Sequence, residues 1–74
     1  MRVDFPTDPK ALMDENIAAE LTGLSVTSLR TMRVRGGGPP FAKLGASVRY
    51  RRGDVDAWVE QRLTESTTGE GRRR

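Results

Sequence analysis

The feature that most restricts the fold of this chain is a glycine, Gly23, followed two residues later by a serine, Ser25. Glycine readily adopts the left-handed conformation that ends a helix, and serine is a preferred N-cap. The pair therefore predicts that one helix ends and another begins with almost no linker. The second helix is expected to run to about Arg35, with Leu29 and Met32 facing inward. Helix, glycine turn and capped helix form the signature of a helix-turn-helix motif.

The segment before Gly23 has the pattern of a short helix. Asp14 is a suitable N-cap, and Glu15 follows in the first turn, where a carboxylate is favoured by the helix dipole. Ile17, Ala18 and Leu21 recur with helical spacing. These positions predict one apolar face.

A β-hairpin is predicted after the second helix. The GGGPP segment (36–40) breaks the helix, because neither glycine nor proline continues it. The next residues predict a strand, a tight turn and a return strand, at 41–44, 45–47 and 48–51. In the return strand Val48 and Tyr50 would face the core, and Arg49 and Arg51 would face outward. The hairpin is therefore expected to be a two-stranded wing with an apolar inner face and a cationic outer face.

A third helix is expected after the hairpin, with Asp54 in its first turn. Its apolar stripe consists of Val55, Trp58, Val59 and Leu63. Trp58 and Tyr50 are the only Trp and Tyr of the chain, and their positions on apolar faces favour core packing, where they could contact each other, over base stacking. The expected fold class is α+β, a small winged helix-turn-helix with a two-helix motif, a hairpin wing and a C-terminal helix. The expected divisions are a flexible N-terminal arm, the winged helix-turn-helix domain and a disordered basic tail, at 1–11, 12–63 and 64–74.

The composition excludes several classes of function. The 74 residues include no Cys and no His, so disulfides, the usual zinc sites and Ser-His or Cys-His nucleophiles are absent. We expect no enzymatic activity, no metal and no cofactor. No apolar run approaches the roughly 20 residues that a membrane helix needs. A soluble, cytoplasmic protein is expected.

Positive charge is concentrated in the middle of the sequence. Residues 21–53 contain no acid and carry seven of the 13 basic side chains, although the net charge is only +3. The pI of about 10.2 is typical of nucleic-acid-binding domains. A charge run alone is commonly a solvated face without a partner. Here it coincides with the helix-turn-helix and hairpin patterns, which favours double-stranded DNA as the partner.

The second helix and the wing supply the candidate DNA-binding residues. In the helix they are Ser25, Val26, Thr27, Ser28, Arg30, Thr31 and Arg33. Thr27, Thr31 and Arg30 are suited to base edges in the major groove, and the serines to phosphates near the helix N-terminus. In the wing they are Lys43, Arg49 and Arg51, which are expected to face outward, and Ser47 at the tip, which is small enough to approach a backbone or a narrow minor groove. The alternatives are an ordinary amphipathic helix and an edge strand protected by charge.

Three segments, in this order and spacing, resemble a known family: AAELTGLS, GGGPPFAKLG and VRYRRGDVDAW. The chain over about residues 12–63 is similar to the excisionase-like (AlpA-type) winged helix-turn-helix family, related to MerR-type DNA-binding domains. The resemblance implies a second helix in the major groove and a wing in the adjoining minor groove. The family usually has a core tryptophan where Met32 stands and commonly an arginine where Thr31 stands, so a softer core and a different base preference are expected.

The resemblance implies a monomeric recombination directionality factor, or excisionase, of bacterial or phage origin and associated with the nucleoid. Such a protein binds repeated sites beside an attachment site and bends the DNA, so that an integrase can excise a phage or integrative element. The implied partners are a tyrosine or serine recombinase and neighbouring copies of the chain on DNA. One alternative is a small transcriptional regulator using the same surface. Another is an interaction module, such as a phage packaging subunit or an antitoxin, with secondary DNA contact.

Overall fold

The computed structural model describes residues 5–68, which form three helices and a small antiparallel sheet. In chain order the elements are β1 (Leu12–Met13), α1 (Glu15–Thr22), α2 (Val26–Arg35), β2 (Ala42–Leu44), β3 (Ser47–Arg51) and α3 (Arg52–Thr68). This α+β arrangement is a small winged helix-turn-helix, as predicted. No helix in this range has the length and apolar character needed to cross a membrane.

Local capping interactions define the junction between α1 and α2. The Asp14 carboxylate accepts the N–H of Ile17 at 2.9 Å and begins α1. Gly23 has φ 77° and donates its N–H to the Ala19 carbonyl, which ends that helix. Ser25 then caps α2 by accepting the N–H of Ser28 at 3.0 Å. The predicted helix-turn-helix boundaries are confirmed.

The core lies where α1, α2 and α3 meet the inner face of the sheet. Its buried apolar residues are Met13, Ala18, Ala19, Leu29, Tyr50 and Val55. Partly buried side chains pack around them, from Ile17, Leu21, Leu24, Val26, Val48 and Val59. Tyr50 is therefore a core residue, as predicted. Leu63 is 56% exposed, so the apolar stripe predicted for the last helix does not reach it.

The predicted two-stranded hairpin wing is confirmed, and it belongs to a three-stranded sheet of order β1-β3-β2 that was not predicted. β2 and β3 form the expected hairpin, and β1 adds a third strand by pairing Leu12 with Arg51 and Met13 with Tyr50. β1 is only two residues long, and both are apolar, so the sequence shows no strand pattern there.

The turn of the hairpin is one residue shorter than predicted, and this places the Lys43 side chain on the other face of the sheet. The turn contains two residues, Gly45 and Ala46, and Gly45 has φ 66°, as tight hairpin turns require. Lys43 therefore pairs with Val48 and lies on the same face of the sheet as Val48. Its predicted position beside Arg49 on the outer face is wrong, since a one-residue change in register reverses the face.

Both ends of the domain contain more regular structure than expected. The expected arm, 1–11, includes a turn in which Ala11 N–H donates to the Asp8 carbonyl at 3.0 Å. Arg52 and Gly53, at the start of α3, donate their N–H groups to the carbonyls of Ala11 and Pro9. This segment satisfies first-turn N–H groups that would otherwise lack partners. Of the expected tail, 64–74, the first part continues α3 to Thr68. Residues 1–4 and 69–74 lie outside the described range.

Candidate nucleic-acid interface

One side of α2 is open to solvent. Its exposed residues are Thr27, Arg30, Thr31, Val34 and Arg35, three of which are predicted contact residues. Val26 is half-buried and packs against the core, and Arg33 also turns inward. The surface available to a groove of DNA is therefore narrower than the predicted set, and it is centred on Thr27, Arg30 and Thr31.

The two serines at the start of α2 hydrogen-bond to each other. Ser25 Oγ accepts the Ser28 N–H, and the Ser25 hydroxyl donates to Ser28 Oγ at 3.0 Å. The Ser28 hydroxyl can still donate its own proton to an acceptor such as a phosphate oxygen. Of this pair, Ser28 is therefore better placed for the predicted phosphate contact.

A carboxylate of α1 holds two arginines of α2. Glu15 Oε1 and Oε2 accept from Arg30 Nε at 3.1 Å and Arg30 Nη2 at 2.6 Å, a side-on bidentate pair. Arg33 Nη2 donates to Glu15 Oε1 at 3.2 Å. The Glu15 side chain is 21% exposed and that of Arg30 is 61% exposed, so the pair lies at the surface.

These contacts shift the titration of all three groups. The hydrogen bond from Arg30 lowers the pKa of Glu15. Arg33 lowers it as well, whereas the partial burial of the carboxylate raises it. The pKa of Arg30 is raised, mainly by its hydrogen bond to Glu15. The pKa of Arg33 is raised, mainly by its hydrogen bond to Tyr50 and then by Glu15. At neutral pH the cluster is therefore fully ionised.

Arg33 links α2 to the sheet. Its Nη1 donates to the hydroxyl of the buried Tyr50 at 2.8 Å, and its guanidinium lies 5.9 Å from the ring centroid of Phe41. The Phe41 and Tyr50 rings are 6.3 Å apart. Because the Arg33 side chain is only 17% exposed and has partners in both α1 and β3, its position is that of an internal cross-link.

The basic residues of the wing differ in their surroundings. Lys43 and Ser47 are exposed at the hairpin. Arg49 is half-buried and donates from Nη1 to the Val48 carbonyl at 2.9 Å. Arg51 pairs with Asp54, three residues along the chain, at 3.1 Å. Arg49 and Arg51 share the outer face with the apolar Leu12, Ala42 and Leu44, so the prediction of a wholly cationic outer face is wrong.

A polar cleft of about 260 Å³ separates the helices from the wing. It is lined by Asp14, Glu15 and Asn16 of the α1 start, Arg30 and Arg33 of α2, and Ala46, Val48 and Arg49 of the wing. The cleft brings together three predicted contact residues from two elements, Arg30, Arg33 and Arg49. The other predicted contact residues do not line it.

The family assignment agrees with this geometry. The helix-turn-helix domain family matches the chain over residues 13–63, which includes both helices of the motif, the sheet and most of α3. The chain belongs to this helix-turn-helix family. The family includes AlpA- and excisionase-like domains and consists of DNA-binding, typically non-enzymatic proteins. No curated protein matched the chain in a sequence comparison.

Membership of the helix-turn-helix family makes the protein a sequence-specific DNA-binding domain. Much of the positive charge of segment 21–53 is paired with acids in the fold. Four of its seven cations, Arg30, Arg33, Arg51 and Arg52, pair with acids from the flanking segments. Within residues 5–68, no ion pair involves Arg35, Lys43 or Arg49. The acids do not gather into a group that could hold a metal ion in this range.

Trp58 lies outside the core, contrary to the prediction. It is half-buried, its Nε1 donates to the Gly37 carbonyl at 3.0 Å, and the Arg62 guanidinium lies 5.3 Å from its ring centroid. Arg62 Nη2 donates to the same carbonyl at 2.9 Å. Trp58 therefore attaches α3 to the glycine loop that precedes the wing, and the described partner of the Tyr50 ring is Phe41.

Sequence reasoning missed two acids that pair with arginines of the basic segment 21–53, Glu15 and Asp56. Glu15 was interpreted only as a residue favoured by the helix dipole, and Asp56 was not singled out. Asp56 pairs with Arg52 across one helical turn, at a spacing visible in the sequence. The pairing of Glu15 with Arg30 spans 15 residues and two helices, so no local spacing indicates it.

Proposed function

We propose that the protein is an excisionase, which binds and bends attachment-site DNA to promote integrase-mediated excision of a phage or integrative element. The observation that carries the DNA-binding part is the shared cleft, in which Arg30 of α2 and Arg49 of the wing face the same space. A helix in the major groove and a wing beside it can then contact one duplex together.

The proposed contacts follow from exposure and pairing. Arg30, Thr27 and Thr31 meet base edges, because they occupy the open side of α2. Ser28 and Ser25 lie at the helix N-terminus, where a phosphate is favoured. Wing contacts to the backbone come from Lys43, Ser47, Arg49 and Arg51. Arg33 and Val26 support the surface from inside.

The surface of α3 supports excision over regulation. A stable dimer generally buries about 1,200–2,000 Å² with a continuous apolar centre. Residues 60–64, the part of α3 after Val59 whose side chains the structure describes, are all exposed and include one apolar side chain, Leu63. This stretch offers no continuous seam for a dimer, which supports monomers that bind side by side on DNA. The second candidate is a small transcriptional regulator with the same DNA-binding surface.

The binding surface can be tested with three alanine variants on a single-site duplex and a scrambled duplex. Arg30→Ala should weaken binding to the specific duplex by roughly 5- to 150-fold and relax the preference at one base pair. Arg49→Ala should weaken binding to both duplexes alike and reduce the salt slope by about 1. Fluorescence anisotropy at several salt concentrations measures both effects.

Lys10→Ala is the matched control, because it removes one positive charge from an exposed site outside α2 and the wing. It should leave the preference for the specific duplex unchanged. If Arg30→Ala and Arg49→Ala bind both duplexes as Lys10→Ala does, the proposed surface is wrong.

A further inference from the structure

We propose that Glu15 is a specificity-determining residue, which positions Arg30 for a bidentate contact with guanine and opposes phosphate binding at the same place. This inference rests on the proposed DNA-binding role of α2. It assigns to α1, the helix that does not enter the groove, a part in base selection.

The geometry leaves one edge of the Arg30 guanidinium available. Nε and Nη2 form the edge that faces Glu15. Nη1 donates no hydrogen bond within the described residues, and Nη2 has a second proton, so Nη1 and Nη2 together present a second donor edge. The side chain is 61% exposed, so this edge is accessible to a base. Two parallel donors match O6 and N7 of guanine in the major groove.

The carboxylate also restricts the position of Arg30. An exposed arginine samples many rotamers, and binding must then order it. Two hydrogen bonds to Glu15 fix the guanidinium before DNA arrives. Arg33, held by Tyr50, donates to the same carboxylate and keeps Glu15 in place. Arg30 is therefore preorganised through a chain of contacts that ends in the core.

The charge of Glu15 distinguishes the two kinds of acceptor. A phosphate oxygen at Arg30 would lie near the Glu15 carboxylate, and like charges repel. Guanine O6 and N7 carry no formal charge, so the same carboxylate opposes them far less. Glu15 is ionised at neutral pH, since its ordinary pKa of 4.5 is already well below 7 and Arg30 and Arg33 lower it further. The expected result is a surface that binds nonspecific DNA less tightly and selects guanine more sharply.

Glu15→Gln and Glu20→Gln form a matched pair of variants. Both remove one negative charge from α1, and Glu20 is exposed and forms no ion pair within residues 5–68. Affinity is measured on a duplex selected by the wild-type protein from a randomised pool and on a scrambled duplex. Glu15→Gln should lower the ratio of specific to nonspecific affinity by about 5-fold or more, chiefly through tighter nonspecific binding. Glu20→Gln should change both affinities equally.

A double variant tests whether Glu15 acts through Arg30. Adding Glu15→Gln to Arg30→Ala should leave the affinity ratio of Arg30→Ala unchanged, since the side chain to be positioned is gone. If Glu15→Gln does not fold, as judged by circular dichroism, Glu15→Asp replaces it. Aspartate keeps the charge but shortens the reach, and it should lower the same ratio.

Two results would overturn this inference. One is an equal ratio for Glu15→Gln and Glu20→Gln, and the other is a higher ratio for Glu15→Gln, which would make Glu15 a mere competitor of DNA. Failure of the wild-type protein to select any duplex would instead overturn the proposed function.

Discussion

At the scale of single residues, Glu15 has the greatest influence on the interface. Its carboxylate accepts three hydrogen bonds from two arginines, and one of these arginines continues to the buried Tyr50 hydroxyl. The network joins α1, α2 and β3 through side chains alone. An arginine proposed to contact bases is thereby coupled to the stability of the domain.

This coupling predicts a specific dependence of stability on pH. The pKa of Glu15 is lowered by Arg30 and Arg33 from its ordinary value of 4.5. A lowered pKa in the folded state means that the unfolded chain binds the proton more readily, so stability rises with pH in this range. The contribution is complete above about pH 4.5 and is lost as the pH falls through the lower folded value. Wild-type melting temperatures should therefore fall as the pH drops below about 4.5.

Thermal melts of wild type and two variants between about pH 7 and 3, the range that spans carboxyl titration, check this prediction. Glu15→Gln should be less stable at neutral pH and should show a flatter decline in acid. Glu20→Gln, which leaves the cluster intact, should retain the wild-type slope. Parallel curves for wild type and Glu15→Gln would show that the ion pairs add nothing to stability.

At the scale of elements, the fold was predictable wherever the determining interactions are local. Asp14, Gly23 and Ser25 act within four residues of their own positions, and the boundaries of α1 and the start of α2 followed from them. The hairpin position followed from the GGGPP segment in the same way. Its register did not, because the length of the turn decides it and Ser47 belongs to β3 rather than to the turn.

The remaining features depend on partners that are distant in sequence. β1 is a strand only because β3 lies beside it, and the two residues carry no pattern of their own. The apolar stripe of α3 indicated which side of the helix faces the domain, but not that the core ends near Val59. Trp58 therefore lies on the predicted side of α3, the side that faces the domain, but outside the core. The candidate contacts of α2 were predicted by type, whereas the pairing of Arg30 with Glu15 was not.

The junction between α3 and the glycine loop should contribute only modestly to the stability of the domain. Trp58→Phe removes the Nε1 hydrogen bond to Gly37, but Arg62 also donates to that carbonyl. The free energy of unfolding should therefore fall by only about 0.5–1.5 kcal/mol. Trp58→Ala should cost less than the roughly 3–5 kcal/mol of a fully buried tryptophan. Urea unfolding followed by circular dichroism measures both, since Trp58 is the only tryptophan fluorophore.

Val55→Ala serves as the comparison, because Val55 lies on the same helix and is completely buried. It should destabilise the domain more than Trp58→Phe does. A cost of 3–5 kcal/mol for Trp58→Ala, by contrast, would place the indole in the core after all.

At the scale of the whole molecule, excision and regulation require different assemblies of the same domain. An excisionase must occupy several adjacent sites and distort the duplex, so that the sites of the integrase come together. A regulator more commonly fills one palindrome as a dimer. We propose that the two end segments of the chain, 1–11 and 64–74, make the contacts between neighbouring copies.

We therefore expect a monomer in free solution, cooperative binding to a three-site duplex and migration of the complex as bent DNA. Deleting residues 69–74 leaves α3 at its full described length and removes three arginines. The deletion should reduce cooperativity and slightly lower affinity, since each phosphate neutralised by an arginine contributes about 0.9 to the salt slope.

A variant with Arg72, Arg73 and Arg74 replaced by Gln keeps the length of the chain and removes only the charge, so it separates the effect of charge from that of contacts between copies. It should lose affinity but keep more of the cooperativity than the deletion. Titrations of one-site and three-site duplexes, sedimentation of the free protein and gel mobility of permuted fragments provide the measurements. A stable dimer that fills one palindrome without bending it would favour the transcriptional regulator.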